Sequence, residues 1–250
     1  MIQALDRGLI ILEILSENED MSISELAKRL EVDKSTVSRM IATLRKHDMV
    51  QINKITKKYR LGLRVLHLAT ALEKRLNIID IAKPIIRNVS EILGQSVHLC
   101  AFNNTTTYVI DQVVRDSAYS LSATIGMIEP MHASSVGKCI MAYRREDVIE
   151  KALENYNYEK YTEKTIVNKE DFLEELDRIK KQGYAIDDEE IAEGVRCVAV
   201  PIFGIGNQVR YSIGISGTVS FMTEEKIKLY IKHLSRAAKK IGRELGYQGP

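Results

Sequence analysis

The stretch from residue 22 to residue 61 constrains the fold most, because it places two short helices directly before a basic hairpin. Ser22 followed by Glu25 is a capping box, which satisfies the first backbone N–H groups of a helix, and it predicts a helix over SISELAKRLEV. Asp33 is a second N-cap candidate and predicts a helix over KSTVSRMIATLRKHDMV, whose apolar residues recur at helical spacing: Val37, Met40, Ile41 and Leu44. Two helices joined by so short a break are typical of a helix-turn-helix unit.

A Lys-rich hairpin is predicted immediately after these helices. In VQINKITKKYRLG, apolar residues alternate with polar ones on both sides of the lysines, which indicates two short strands, or a wing. Between Lys34 and Arg64 the chain has nine basic residues and one acidic residue, although its formal net charge is only +2. Such a local concentration of positive charge indicates binding to nucleic acid.

The polar face of the second helix has the chemistry for reading double-stranded DNA, whose major groove admits one α-helix. We expect Ser35, Thr36 and Arg39 to contact base edges. The phosphate-contacting candidates on the helix are Lys34, Ser38, Thr43 and Lys46. In the wing, Lys57, Lys58 and Tyr59 lie where the tip of a hairpin can reach the DNA backbone or the adjacent minor groove. The alternative is an ordinary solvated helix face; the ordered combination of capping box, turn, polar face and basic hairpin favours DNA binding.

The remainder of the chain predicts an α+β architecture. Residues 63–77 have helical periodicity without Gly or Pro, and from residue 80 onward helices mix with neighbouring strands, which favours an antiparallel sheet. The predicted organisation is a winged helix-turn-helix domain over 1–62, a linker helix over 63–79 and a second, α+β domain over 80–250.

Cysteine usage and the N-terminal segment limit the class of protein. The three cysteines are far apart and form no C-x-x-C pair, so we expect neither a disulfide framework nor a metal site, and a reducing compartment. The first twenty residues are too charged for a signal peptide or a membrane span. We therefore expect a cytoplasmic protein that needs no cofactor and does not bind a membrane.

Several segments, in this order, resemble one family. They are SISELAKRLEVDKSTVSRMIATLRKHDMV, MHASSVGKCIMA, GYAIDDEE, GVRCVAVPIF and YSIGISG. With them the chain resembles the IclR family of bacterial transcription regulators over essentially its full length. The resemblance implies a winged-helix domain, a linker helix and a GAF-like effector domain. It also implies homodimers, often dimers of dimers, on palindromic operators.

The resemblance further implies an effector pocket. Position by position it points to Leu121, Ser135, Val136, Gly137, Asp187, Cys197, Gly214 and Ser216. Many relatives have a serine where this chain has Gly214, so a hydrogen bond made there elsewhere is absent here.

Read from the residues alone, the same set suits a small carboxylate that also carries a hydroxyl or carbonyl group. Backbone N–H groups at 135–137 favour an anion at the start of a helix, while Asp187, Cys197 and Ser216 add polar groups. Each residue also has a structural interpretation. Cys197 fits a core strand, Ser135 a helix cap and Asp187 a solvated acidic turn, and we expect His98 and His132 to be structural rather than a catalytic base or metal ligands.

Three functions compete at this point. The favoured one is an effector-controlled DNA-binding transcription regulator of a metabolic operon, with repression expected over activation. The second is a Cys-dependent enzyme domain fused to a DNA-binding module. It is disfavoured because no nucleophile lies beside a plausible base in a recognisable motif. The third, an architectural DNA binder without a ligand, leaves the large rear domain unexplained.

Overall fold

The computed structural model describes residues 2–73, 77–103, 105–115, 120–121 and 123–249; for residues 69–73 and 120–121 it describes the backbone only. The chain divides into two compact units, residues 1–76 and 77–250, and each is described by itself. The helix predicted over 63–79 corresponds to α4 (Leu63–Glu73) in the first unit. Residues 74–76 of that prediction lie outside the described residues, and Ile78 already begins the next helix, α5 (Ile78–Leu93).

The first unit is a small helical domain with a two-stranded wing. Before α4, its elements are α1 (Gln3–Glu17), α2 (Ile23–Leu30), α3 (Lys34–Lys46), β1 (Val50–Ile52) and β2 (Tyr59–Leu61). Its core is built from one apolar stripe of each helix together with the hairpin: Ile11, Leu15, Met21, Leu26, Ala27, Val37, Ile41 and Val50. The predicted capping box is present, because the Ser22 N–H donates to the Glu25 carboxylate at 2.6 Å and the Glu25 N–H donates to Ser22 Oγ at 3.3 Å.

Helix α3 is shorter than the sequence pattern predicts. It begins after Asp33 as expected, although the Asp33 side chain makes no capping hydrogen bond, and it ends at Lys46. Asp48 adopts a left-handed backbone conformation with φ of 56°, which cannot continue a helix. The chain turns there and enters β1, where Val50 pairs with Leu61 and its side chain is buried in the core.

The second unit is built around an antiparallel sheet, which confirms the α+β prediction. Its strands are β3 (Val97–Asn103), β4 (Thr106–Val113), β5 (Ser120–Leu121), β6 (Ile128–Glu129), β7 (Ala185–Asp188), β8 (Val195–Phe203) and β9 (Val209–Thr218). Within the described ranges the order is β6-β4-β3-β9-β8-β7, and β5 pairs with β9 beyond the end of β3. The helices that follow α5 are α6 (Ser135–Met141), α7 (Glu146–Leu153), α8 (Lys169–Gln182) and α9 (Glu224–Glu244).

Helices cover both faces of the sheet. On one face α5 and α9 pack against alternate strand residues such as Leu99, Val200 and Ile213. On the other face α6 packs against the residues between them, such as Cys100 and Ala199, and α8 packs against α6. A strand buried on both faces is apolar at every position rather than at every second one, which explains the continuous apolar run of β8.

Candidate functional site

The outer face of α3 is open to solvent. Val37 and Ile41 anchor one face of the helix in the core, so the opposite face points away from it. Of the seven α3 residues predicted to contact DNA, Thr36 is half-buried and six are exposed: Lys34, Ser35, Ser38, Arg39, Thr43 and Lys46. The Thr43 hydroxyl is already engaged, because Oγ1 donates to the carbonyl of Arg39 at 3.0 Å.

The three wing candidates occupy different environments. Lys57 is exposed at the hairpin turn with a φ of 60°. The Lys58 ammonium instead donates to Glu25 at 3.1 Å, where hydrogen bonds from the backbone and hydroxyl of Ser22, together with Lys58, lower the pKa of Glu25 to about 2. Tyr59 packs against the core, and its backbone exchanges two hydrogen bonds with Met21.

In the second unit, sheet register brings together residues that are far apart in sequence. Asp187 of β7 lies opposite Cys197 of β8, and Cys197 lies opposite Ser216 of β9. Ser216 lies opposite Leu121 of β5 on its other side. Four of the predicted effector residues therefore form one row across four adjacent strands. The side chain of Leu121 is outside the described residues.

A cavity of about 110 Å³ lies between this row and α6. Five predicted residues line it: Ser135, Val136, Asp187, Cys197 and Ser216. The other lining residues are His98, Ala123, Met127, Glu129, Ser134, Ile191 and Val195. Gly137 and Gly214 are not among the lining residues, so the structure brings five of the eight predicted residues together at the cavity.

Gly137 is required for close packing. A Cβ atom there would lie 2.8 Å from both the Pro130 carbonyl oxygen and Ser134 Oγ. Its N–H, which we expected to be free, donates to Ser134 Oγ at 3.1 Å. That expectation was wrong because Ser134 is the N-cap of α6, and a cap binds the third backbone N–H of its helix.

Gly214 makes room for a histidine. It pairs with His98 of β3, and a Cβ atom at Gly214 would lie 2.9 Å from His98 Nε2, 3.0 Å from Val136 Cγ1 and 3.1 Å from the Val198 carbonyl oxygen. Burial lowers the pKa of His98 to about 4, so the ring is neutral at physiological pH. In this chain an imidazole therefore lies where a serine at position 214 would need space.

Two carboxyl groups give the cavity its polar character. Asp187 is only 1% exposed. Its Oδ1 accepts the N–H groups of Glu190 at 2.7 Å and Ile191 at 3.3 Å, while its Oδ2 is buried without a hydrogen-bond partner. Asp187 is thus not in the solvated acidic turn that we considered as an alternative. Burial, and the nearby charge of Asp187, raise the pKa of Glu129 to about 7, while burial raises that of Asp187 itself.

Sequence reasoning missed Glu129 as a lining residue. It lies on β6, a strand of two residues, which is too short to leave a periodic signal. The charge of Lys138 lowers the pKa of Asp187, but by less than burial raises it. Lys138 is fully buried on α6, where it contacts Glu190 and lies 3.5 Å from Glu175, and none of the described lining residues is Lys or Arg.

The cysteine and histidines show no catalytic arrangement. Burial raises the pKa of the Cys197 thiol well above its usual value, which keeps it protonated and unreactive. His132 Nδ1 lies 2.8 Å from the Tyr156 hydroxyl and its Nε2 lies 2.9 Å from the Glu159 carbonyl oxygen. Among the described residues there is no cluster of three or more side chains suited to hold a metal. In the same part of the chain, no helix is both long and apolar enough to cross a membrane.

Replacing Gly214 by serine tests the packing around His98. We expect Gly214→Ser to lower the free energy of unfolding by about 1–3 kcal/mol, because the added side chain overpacks the contact with His98 and Val136. Combining it with His98→Ala should recover part of that loss. Urea denaturation of both variants measures the effect, and a Gly214→Ser protein as stable as the parent would contradict it.

Glu129→Gln tests the buried carboxyl through the pH dependence of stability. The folded protein holds the Glu129 proton up to about pH 7, whereas a carboxyl with the ordinary pKa of 4.5 has lost it, so this group makes folding less favourable as pH rises through that window. The melting temperature of Glu129→Gln should therefore exceed that of the parent by more at pH 8 than at pH 5. The exposed change Glu154→Gln is the control, and an equal difference at both pH values would contradict the assignment.

Comparison with known proteins covers both units. The IclR helix-turn-helix domain matches residues 4–53, and the bacterial transcriptional regulator IclR C-terminal domain matches residues 70–243. The HTH-type transcriptional regulator KdgR of Escherichia coli is 33% identical over 95% of this chain and 90% of its own length. The transcriptional repressor IclR of Escherichia coli is 31% identical over 99% of this chain and 91% of its own.

The solved structures agree with this assignment. The crystal structure of the Thermotoga maritima IclR aligns with a TM-score of 0.66 and 30% identity, covering 99% of this chain and 100% of that one. Because these relatives are regulators, the enzyme alternative is not supported. The chain belongs to the IclR family of bacterial transcriptional regulators.

Proposed function

We propose that this regulator represses a metabolic operon in the cytoplasm, and that a small organic acid bound beside α6 sets its affinity for DNA. The observation that carries the proposal is the row of Asp187, Cys197 and Ser216 facing a small cavity in a unit separate from the helix-turn-helix. The name of the Escherichia coli relative, a transcriptional repressor, supports repression over activation.

The proposed DNA contacts follow from the exposed face of α3. Ser35, Thr36 and Arg39 lie at its N-terminal half, the part of a recognition helix that approaches base edges. We assign the phosphates to Lys34, Ser38, Thr43 and Lys46 on α3 and to Lys57 in the wing. Lys58 and Tyr59 are weaker candidates, since one is paired with Glu25 and the other packs on the core.

We further propose that two copies pair on a palindromic operator, as a homodimer or a dimer of dimers. One copy of α3 reads a single half-site, so a palindrome requires two copies held at a fixed spacing. The first unit exposes large apolar side chains on two helices, Leu5 and Leu9 on α1 and Leu63 and Leu68 on α4. A second copy covering these side chains would remove them from water, which favours association.

The cavity chemistry supports a small acid with a hydroxyl or carbonyl group. Its volume is well below the roughly 300–1,000 Å³ typical of sites for drug-sized ligands. The unpartnered Oδ2 of Asp187 can accept a ligand hydroxyl, and the hydroxyls of Ser135 and Ser216 can donate. Since no cation lines the described cavity, a ligand carboxylate needs a neutral donor, and Glu129 supplies one when it is protonated.

Effector binding is expected to act through the pairing of the two copies. A ligand can shift an equilibrium only by its difference in affinity for the two states. We propose that occupancy of the cavity favours one arrangement of the paired effector domains. The helical segment within 63–79 would pass that bias to the spacing of the two recognition helices, and operator affinity depends on that spacing.

Substitutions at Arg39 and Lys57 test the DNA-binding surface. Arg39→Ala should weaken binding to an operator and reduce its preference over random DNA, because a lost base contact costs discrimination. Lys57→Ala should weaken binding to both DNAs alike and lower the salt slope by about 1, because a lost phosphate contact releases fewer counterions. Fluorescence anisotropy at several salt concentrations measures both effects. Lys228→Ala, an exposed change in the second unit, is the control, and no effect from either test variant would contradict the assignment.

Calorimetry with a panel of small 2-hydroxy and 2-oxo acids, together with neutral polyols of similar size, tests the effector class. We expect at least one acid to bind, and Asp187→Asn to weaken that binding by about tenfold, the loss typical of one buried charge-assisted hydrogen bond. Glu193→Gln, an exposed change near the same strands, should bind normally. Binding of a polyol while every acid is silent would overturn the assignment.

A further inference from the structure

The tip of the wing presents a large apolar side chain to solvent. Ile55 is 91% exposed, and it lies between the two exposed lysines of the turn, Lys54 and Lys57. It belongs neither to the core of the first unit nor to α1 or α4, which carry the apolar residues proposed for pairing. A partner that covers this isoleucine removes its apolar surface from water, which favours binding.

A network of hydrogen bonds holds this tip in a defined shape. Asn53 Oδ1 accepts the backbone N–H groups of Ile55 at 2.9 Å and Thr56 at 3.3 Å, which closes the turn. The Lys57 N–H donates to the Asn53 carbonyl oxygen at 2.9 Å, and the Asn53 N–H donates to the Lys58 carbonyl oxygen at 2.8 Å. The turn is therefore fixed by its own backbone and side chains.

Asp20, outside the hairpin, anchors the same turn. Its Oδ2 accepts Asn53 Nδ2 at 2.6 Å and Thr56 Oγ1 at 2.9 Å. Asp20 directly precedes Met21, whose backbone bridges to Tyr59 in β2. The segment that precedes α2 therefore contacts the wing on both sides of the turn, and these contacts hold the backbone around Ile55 in place.

We propose that Ile55 enters the minor groove of the operator as an apolar wedge, and that Asp20 is the positioning residue that aims it. The neighbouring lysines attract phosphates on either side of a groove, while the isoleucine offers no charge to them. Several proteins that bind the minor groove insert apolar side chains there. The floor of that groove is open at A·T pairs, whereas a G·C pair fills it with the guanine N2 amino group. An apolar tip therefore selects A·T pairs flanking the sequence read by α3.

An operator selected by the full-length protein from a random duplex pool provides the test of Ile55. Its flanking A·T pairs are replaced by G·C pairs or by I·C pairs, which lack the amino group. The parent protein should bind the G·C version about tenfold more weakly, the usual size of one unfavourable base pair, and recover on the I·C version. Ile55→Ala should bind the original operator about tenfold more weakly, with the salt slope unchanged, and should no longer distinguish the three DNAs.

Two control variants distinguish the proposed apolar contact of Ile55 from a loss of positive charge and from a general effect of shortening an exposed isoleucine. Lys54→Ala should reduce the salt slope and keep the preference for A·T. Ile92→Ala removes an exposed isoleucine of the second unit and should leave binding unchanged. The proposal is overturned if Ile55→Ala binds all three DNAs as the parent does, or if it keeps the parent's preference for A·T and I·C.

For substitution of Asp20, the proposal and a simple charge effect predict opposite changes in the affinity for DNA. Removing a negative charge close to DNA strengthens binding if charge alone matters. The proposal instead expects Asp20→Ala to weaken operator binding and to lose the A·T preference. The double variant Asp20→Ala with Ile55→Ala should bind no more weakly than Ile55→Ala alone, since the two residues act through one contact. Tighter binding by Asp20→Ala, or additive losses in the double variant, would contradict the positioning role.

Discussion

The antiparallel register of β7, β8, β9 and β5 is the constraint on which the effector unit depends. Side chains on neighbouring strands share a face only when their residues are partners or two positions apart, so a slip of one residue would turn every one of them to the opposite face. In the observed register Asp187, Cys197 and Ser216 face α6, while Val198 and Ile215 face α5 and α9. One hydrogen-bond pattern thus creates both the polar row of the cavity and the apolar core behind it.

The charged groups buried on the two sides of α6 differ in whether an opposite charge lies beside them. The fully buried ammonium of Lys138 is compensated by Glu175 and Glu190, which fixes the helix to the elements beneath it. On the cavity side, none of the lining residues that the structure describes is a Lys or Arg that could pair with Asp187 or Glu129. The buried Oδ2 of Asp187 has no hydrogen-bond partner among the described residues, which is costly, and a ligand that donates to it recovers that cost on binding. The same burial that makes the empty site unfavourable therefore favours its occupation by a hydrogen-bond donor.

The DNA-binding unit combines a rigid anchor with an open surface. The buried stripe of α3 and the capping box of α2 fix the helices. On the polar face of α3, the hydroxyl of Thr43 is engaged by the helix itself, and the other predicted contact residues make no side-chain hydrogen bond within the part of the chain that the structure describes. In the wing, internal contacts engage Lys58 and Tyr59 but leave Ile55 exposed. The number of lysines in the hairpin therefore does not by itself indicate which side chains are available on its surface. Lys58 is paired within the fold, whereas the apolar Ile55 faces outward.

The sequence by itself determined the local elements and the family. The capping box at Ser22 and Glu25, the stripe of α3 and the α+β class are short-range patterns, and the structure confirms them. The sequence also indicated Ser135, Val136, Asp187, Cys197 and Ser216, but through resemblance rather than through a local signal. Contacts between distant segments were decided only by the tertiary structure. Glu129 reaches the cavity from a two-residue strand, His98 fills the space beside Gly214, Ser134 binds the N–H of Gly137, and Asp20 supports the wing. None of these has a periodicity or spacing in the chain, because each depends on how separate elements pack in three dimensions.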